Sequence, residues 1–271
     1  MPQLRISADC ELFFTIDDFT DPWDARETVL FLPGLAESGE AFRAFVPYFS
    51  RQFRVVRLDL RGFGRSTPMP ADFSWHLETL VDDLDAICEH LGKEPVHLVA
   101  AKIAGIFALA FAARKPQRLR TLAVLGSPAS TLNVKTKPST WIEQIRSGGV
   151  RAWAKDTQRV RMGSAMSEAA IDWWSDEMGR TAVSTLEGFM RFAVGLDVRD
   201  EVKEIRCPTL VLTSSDSRLS SVAETRAWQS QIPRSELQVI EADSYHLAAS
   251  HPDETAIRVL NFIRAANPAR E

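Results

Sequence analysis

Apolar residues in this chain fall into two patterns that alternate along its length. A continuous apolar run occurs at Val29–Leu32, and short strand-like stretches follow at 53–58, 96–100, 121–125 and 208–213. Runs of that length, rich in Val and Leu, suit strands buried on both faces of a parallel sheet. Between them, apolar residues recur at helical spacing. Leu77, Leu80, Val81, Leu84, Ile87, Cys88 and Leu91 predict a helix over 74–91, started by Ser74 as N-cap and stopped by Gly92. Further helices are expected at 41–49, from the end of the 96–100 run to 114, at 222–231 and at 252–265. Pro252 opens the last of these, at a position where its missing N–H costs little. Strands are expected at 12–16 and 236–240 as well. Such alternation predicts an α/β fold: a mostly parallel sheet flanked by helices, with right-handed crossovers.

The rhythm breaks between Ala129 and about Glu204. No strand pattern is found there, only helical pieces at 141–146, 150–155, 168–178 and 185–194. Four of the seven tryptophans (Trp141, Trp153, Trp173, Trp174) lie in this stretch. The organisation expected is a core of residues 1–128 and 205–271, interrupted by a helical cap at 129–204.

Composition narrows the function classes. With 45% hydrophobic and 25% charged residues and a net charge of -4, the chain offers no electrostatic case for nucleic acid or an anionic membrane surface. Its three cysteines, Cys10, Cys88 and Cys207, are far apart, with neither a disulfide framework nor a metal-ligand spacing. No signal-like apolar stretch opens the chain, and no run of membrane-spanning length occurs in it. A cytoplasmic protein with a small-molecule partner is expected, with no metal or organic cofactor. Oligomeric state is not legible.

The chemistry centres on Val96–Ala110. An apolar strand passes into an Ala-rich helix with only a few small residues between, so the chain must bend sharply. Ala100, Ala104 and Gly105 supply the small neighbours, and the side chain at the apex is Lys102. A lysine set among Ala, Ile and Gly is badly placed for solvation. An apolar pocket disfavours its ammonium form, which makes the amine a usable nucleophile or base near neutral pH.

With Leu32-Pro33-Gly34-Leu35, Leu58-Asp59-Leu60-Arg61-Gly62-Phe63-Gly64-Arg65-Ser66, the stretch 97–105, Cys207–Leu212 and His246 ahead of the last helix, the chain resembles the α/β-hydrolase superfamily, in particular its small capped bacterial members. The resemblance spans the whole core in the family's order. It implies that Lys102 stands where the family carries its serine nucleophile, that His246 is the general acid/base, and that an acid follows the seventh strand. Asp216 is the acid favoured, although an ungapped comparison puts Ser217 there. Leu35 and Ile103 would offer backbone N–H groups to an oxyanion. Glu37 and Ser38 would face the pocket, and Trp141, Trp153 and Trp174 would wall it. Asp59 and Arg61 are expected to hold their loop, and the remaining histidines to be structural.

Three readings stay open. Lys102 forms a Schiff base with a small, largely apolar carbonyl compound and promotes C–C cleavage. Or it acts without a covalent bond, as proton donor or anion anchor, in ester or lactone hydrolysis or in elimination. Or the chain binds a small molecule without turning it over.

Overall fold

The computed structural model describes residues 2–23, 26–132 and 138–266. Eight strands form one sheet: β1 (Gln3–Ser7), β2 (Cys10–Asp17), β3 (Thr28–Leu32), β4 (Arg54–Leu58), β5 (Val96–Ala101), β6 (Leu119–Leu125), β7 (Thr209–Ser214) and β8 (Ser235–Ile240), in the order β1-β2-β4-β3-β5-β6-β7-β8. β2 runs antiparallel to β1 and β4, and every other pairing is parallel. Strands β3, β5 and β7 are buried at every position, as their mostly apolar sequences suit.

Helices α1 (Val46–Phe49), α2 (Leu77–Leu91), α3 (Ala104–Arg114), α7 (Val222–Gln229), α8 (Leu247–Ser250) and α9 (Pro252–Ala266) accompany the sheet. Successive residues of a strand face opposite sides, and β3 and β5 divide on that rule. Leu30, Leu32, Leu98 and Ala100 pack with α2 and α3, whereas Val29, Phe31, Val99 and Ala101 pack with α1 and α9. On the latter face Phe31, Phe42, Phe45 and Phe49 form a mostly edge-on cluster, with Phe31 centred 4.8, 5.7 and 5.4 Å from the other three.

Two local expectations need correcting. The helix expected at 41–49 is largely a 3-10 turn over Gly39–Phe45, with α-geometry only in α1. Ser74 does not cap α2, because its hydroxyl is spent on His76 Nε2 at 2.8 Å and the helix begins at Leu77.

Helices α4 (Pro138–Met162), α5 (Glu168–Gly179) and α6 (Val183–Phe192) lie between β6 and β7 in the chain. The pieces expected at 141–146 and 150–155 belong to one long element, broken at Gly149 (φ 81°). Phe189 of α6 drives its ring against Phe63 and Trp75 (centroids 5.0 and 5.1 Å) and approaches Phe107 of α3 at 6.0 Å. Among the described residues no helix is long and apolar enough to cross a membrane.

Phe189 is almost fully buried and joins the inserted helices to the core. Phe189→Ala is expected to cost about 3–5 kcal/mol through lost contacts and the cavity left behind. Urea unfolding at constant slope measures it.

Candidate active site

The turn from β5 into α3 places Lys102 at φ 55°, and only Ala36 (φ 58°) shares a positive φ among the described non-glycine residues. Left-handed backbone at a lysine is strained; the strand–helix bend requires it. The Lys102 N–H is tied to the Leu125 carbonyl at 3.0 Å, and its own carbonyl accepts the Gly105 N–H at 3.0 Å. The side chain then runs over Gly34, where a Cβ would fall 2.2 Å from Lys102 Cε. The loop after β3 therefore needs glycine at that point to let the lysine pass.

Lys102 is buried, and its Nζ forms an ion pair with Glu37 Oε1. The same oxygen meets His246 Nε2 at 2.8 Å, and Glu37 Oε2 accepts the Gly34 N–H at 2.9 Å. The structure thus brings Lys102, Glu37 and His246 into one buried chain. An ionised carboxylate only accepts, so Nε2 carries the imidazole proton. His246 Nδ1 is then the bare nitrogen, and it has no hydrogen-bond partner among the described residues.

Burial and charge oppose each other in this group. Burial alone would raise the Glu37 carboxyl, but the imidazole of His246 and the ammonium of Lys102 outweigh it and hold the group below the carboxylate range. For Lys102 burial wins, bringing the amine down to about 8 against the pull of Glu37, with the Arg161 charge adding to the fall. Burial also lowers His246, Glu37 opposes it, and the neighbouring cations reinforce it, so the imidazole is neutral.

Asp216 is not part of this group. Its side chain is exposed, its backbone N–H is taken by the Ala242 carbonyl at 3.0 Å, and it makes no bond to His246. The expected acid partner is corrected on that ground: Glu37, arriving from the loop after β3, is the carboxylate that meets the imidazole.

A cavity of about 160 Å³ opens above the bend at Lys102, walled mainly by Leu35, Ile103, Trp141, Phe189 and Met190, with Lys102, Thr131, Arg161 and Tyr245 as its polar members. Neither the Leu35 nor the Ile103 N–H has an acceptor in the protein among the described residues. Of the three tryptophans expected in the wall, only Trp141 lines it. Trp153 stands behind, its ring edge-on to Trp141 at 5.6 Å, and Trp174 packs on the His246 ring at 4.8 Å. Ser38 is turned away from the cavity, its hydroxyl bonded to Glu177 of α5. His246 does not reach the cavity wall either and faces Glu37. Asp59 and Arg61 do hold their loop. Asp59 accepts the Gly39 and Arg65 N–H groups at 2.6 and 2.7 Å, and Arg61 grips Asp83 at 2.6 and 2.8 Å.

Sequence reasoning passed over Arg161 and Tyr245. Arg161 reads as one more cation in the last turn of a polar helix, where Arg159 is indeed at the surface. Among the described residues no cluster of three His, Cys, Asp or Glu side chains is arranged to hold a metal ion.

Residues 27–250 match the family model for the alpha/beta hydrolase fold. The chain belongs to the α/β-hydrolase family. It is 27% identical over 83% of its length, and 83% of the other's, to a 2-hydroxy-6-oxo-2,4-heptadienoate hydrolase of Pseudomonas putida. It is 23% identical to a pimeloyl-[acyl-carrier protein] methyl ester esterase of Aeromonas hydrophila, over 87% of this chain and 94% of that one. The fold is similar to that of the enol-lactonase from Burkholderia xenovorans, with TM-score 0.85 and 20% identity over 97% and 99% of the two chains. With relatives named as hydrolases, this α/β-hydrolase-fold protein is an α/β-hydrolase-like enzyme.

The ion pair makes two predictions. Lys102→Met strands the Glu37 carboxylate and is expected to cost about 3–5 kcal/mol. Lys102→Met combined with Glu37→Gln should recover more than half of that, which a double-mutant cycle in urea measures. In a pH titration followed by NMR on labelled lysine, the Lys102 amine should show a midpoint near 8, moving lower still in Glu37→Gln because Glu37 opposes the fall. Between that midpoint and the ordinary 10.5, the unfolded chain keeps a proton that the folded one has lost, so this group's contribution to stability rises with pH across the window.

Proposed function

We propose that the enzyme cleaves a bond beside the carbonyl of a small, largely apolar compound, with the Lys102 amine as the reacting group and residues 129–204 acting as the cap over it. The observation that carries this reading is the amine itself. It is buried, pushed out of the sheet by a strained bend, and brought down to about 8. It borders an apolar cavity lined by Leu35 and Ile103, whose backbone N–H groups have no acceptor among the described residues.

An uncharged amine adds to a ketone or aldehyde carbon, with Leu35 and Ile103 N–H groups supporting the oxygen as it gains charge. With one proton taken up, that oxygen leaves as water and a cationic imine remains. The imine accepts the electron pair of the C–C bond one carbon away that breaks next. The departing carbon leaves as a carbonyl as its hydroxyl gives up a proton. The enamine takes up a proton at carbon, and hydrolysis of the imine returns the amine and the shortened carbonyl product. Attack on an ester or lactone would instead end as an inert amide on Lys102, so the covalent route selects ketones and aldehydes. His246 lies one residue behind the reacting group and acts through Glu37, keeping that carboxylate oriented and ionised.

The Glu37 ion pair favours a second reading, in which Lys102 stays an ammonium and donates a hydrogen bond to a substrate oxygen. Acetylacetone with cyanoborohydride separates the two. The covalent reading expects a reduced adduct on the Lys102 peptide by mass spectrometry. It also expects a modification rate rising roughly tenfold from pH 7 to 9 as an amine of about 8 is uncovered. Lys102→Arg abolishes the adduct on the covalent reading, whereas partial turnover by Lys102→Arg supports the ammonium reading. Fluorophosphonates should leave the protein unlabelled, since no serine occupies the elbow.

A further inference from the structure

We propose that Arg161 anchors a carboxylate on the substrate, so that the compound taken into this cavity is a carbonyl acid, apolar apart from those two groups. This rests on the reading that Lys102 reacts in the same cavity.

Arg161 sits in the last turn of α4, is only 5% exposed, and lines the cavity with Lys102. A guanidinium carries five N–H donors and a permanent charge, and a buried charge is normally paired. Here no carboxylate of the described residues lies within salt-bridge distance. The group rests on the Trp153 ring at 4.5 Å, reaches Met178 Sδ at 4.0 Å, and has the Tyr245 hydroxyl beside it. A ring face, a thioether and a hydroxyl leave most of its donors without an anion.

The acids nearby are already committed. Glu37 serves Lys102, His246 and Gly34. Glu177 serves Ser38 and Arg180, the latter at 2.8 Å. Asp243 accepts the Ser164 N–H at 3.0 and 2.9 Å. Charges therefore cancel between Lys102 and Glu37, His246 is neutral, and the Arg161 charge is left over. A planar fork matches a carboxylate with two parallel hydrogen bonds, the strongest pairing such a group makes. Arg161 and Lys102 border one small cavity, so an acid held by the first presents its carbonyl to the second.

The test measures binding, not turnover. Butanoate, hexanoate and benzoate are titrated against their primary amides by calorimetry at pH 7, with circular dichroism confirming each variant's fold. In the wild-type enzyme each acid should bind on the order of 10- to 100-fold more tightly than its amide. Arg161→Met should erase that preference and Arg161→Lys should keep part of it. Lys102→Met should retain it while losing the acetylacetone adduct. Equal binding of acids and amides by the wild-type enzyme, or no binding of either, overturns the proposal, and that arm needs no variant to fold. So does a preference that survives Arg161→Met, or one that disappears in Lys102→Met instead, which would give the anion to the lysine. Failure of trapping with an intact acid preference sinks the Lys102 reading and the carbonyl it assigns, and leaves Arg161 as the carboxylate anchor.

Discussion

One oxygen of Glu37 receives two donors, the ammonium of Lys102 and the imidazole N–H of His246, in a buried region. Three segments far apart in the chain meet there, and each is shaped by having to reach it. The loop after β3 turns through Ala36 at positive φ and so carries Glu37 inward. The bend after β5 does the same for Lys102. The segment after β8 holds its backbone against α4 so that His246 arrives ring-first. Were the carboxylate absent, desolvation would act on the lysine unopposed. Were the lysine absent, a buried anion would remain with two neutral donors. The pair persists because neither charge is tolerable alone at this depth.

That balance also explains why the amine is poised and not simply neutralised. Burial and the Arg161 charge push it down, Glu37 pulls it up, and the outcome is about 8. Near neutral pH the group spends most of its time as an ion and a minor fraction of it as a free amine. A serine at the same apex has no such equilibrium and needs a base in direct contact. With an amine there, the imidazole is free to sit behind a carboxylate.

The sheet and its helices were legible because burial on two faces leaves an unmistakable trace: Val29–Leu32 and the 96–100 run allow no exposed alternative. The apex lysine was legible for the same reason, since a charge between Ala101 and Ile103 has nowhere polar to go. The interior partners were harder. Glu37 is expected at the pocket, but its pairing with Lys102 and His246 depends on a loop that turns through Ala36 at positive φ, which the sequence does not reveal. Asp216 drew attention by its place after β7, yet Ser215 and Asp216 give their N–H groups to the β8 side and leave the carboxylate outside. Distance in sequence hides which of two acids is nearer in space, and the sequence pattern of α4 hides Arg161 among solvated cations.

What places Arg161 is the way α4 ends. The last carbonyls of a helix have no partners within it, and Arg161 offers its own to the Tyr245 and His246 N–H groups at 3.2 and 3.1 Å and to the Ser244 hydroxyl at 2.9 Å. Gly163, at φ 75°, stops the helix there, in space where a Cβ would lie 2.1 Å from Asp243 Oδ1. One carbonyl thus docks the loop that carries His246, while the side chain of the same residue faces the cavity. The orientation of the imidazole and the position of the guanidinium follow from a single helix terminus. The inserted helices are therefore a wall of the site that also sets its geometry, and a lengthened α4 would displace both groups at once.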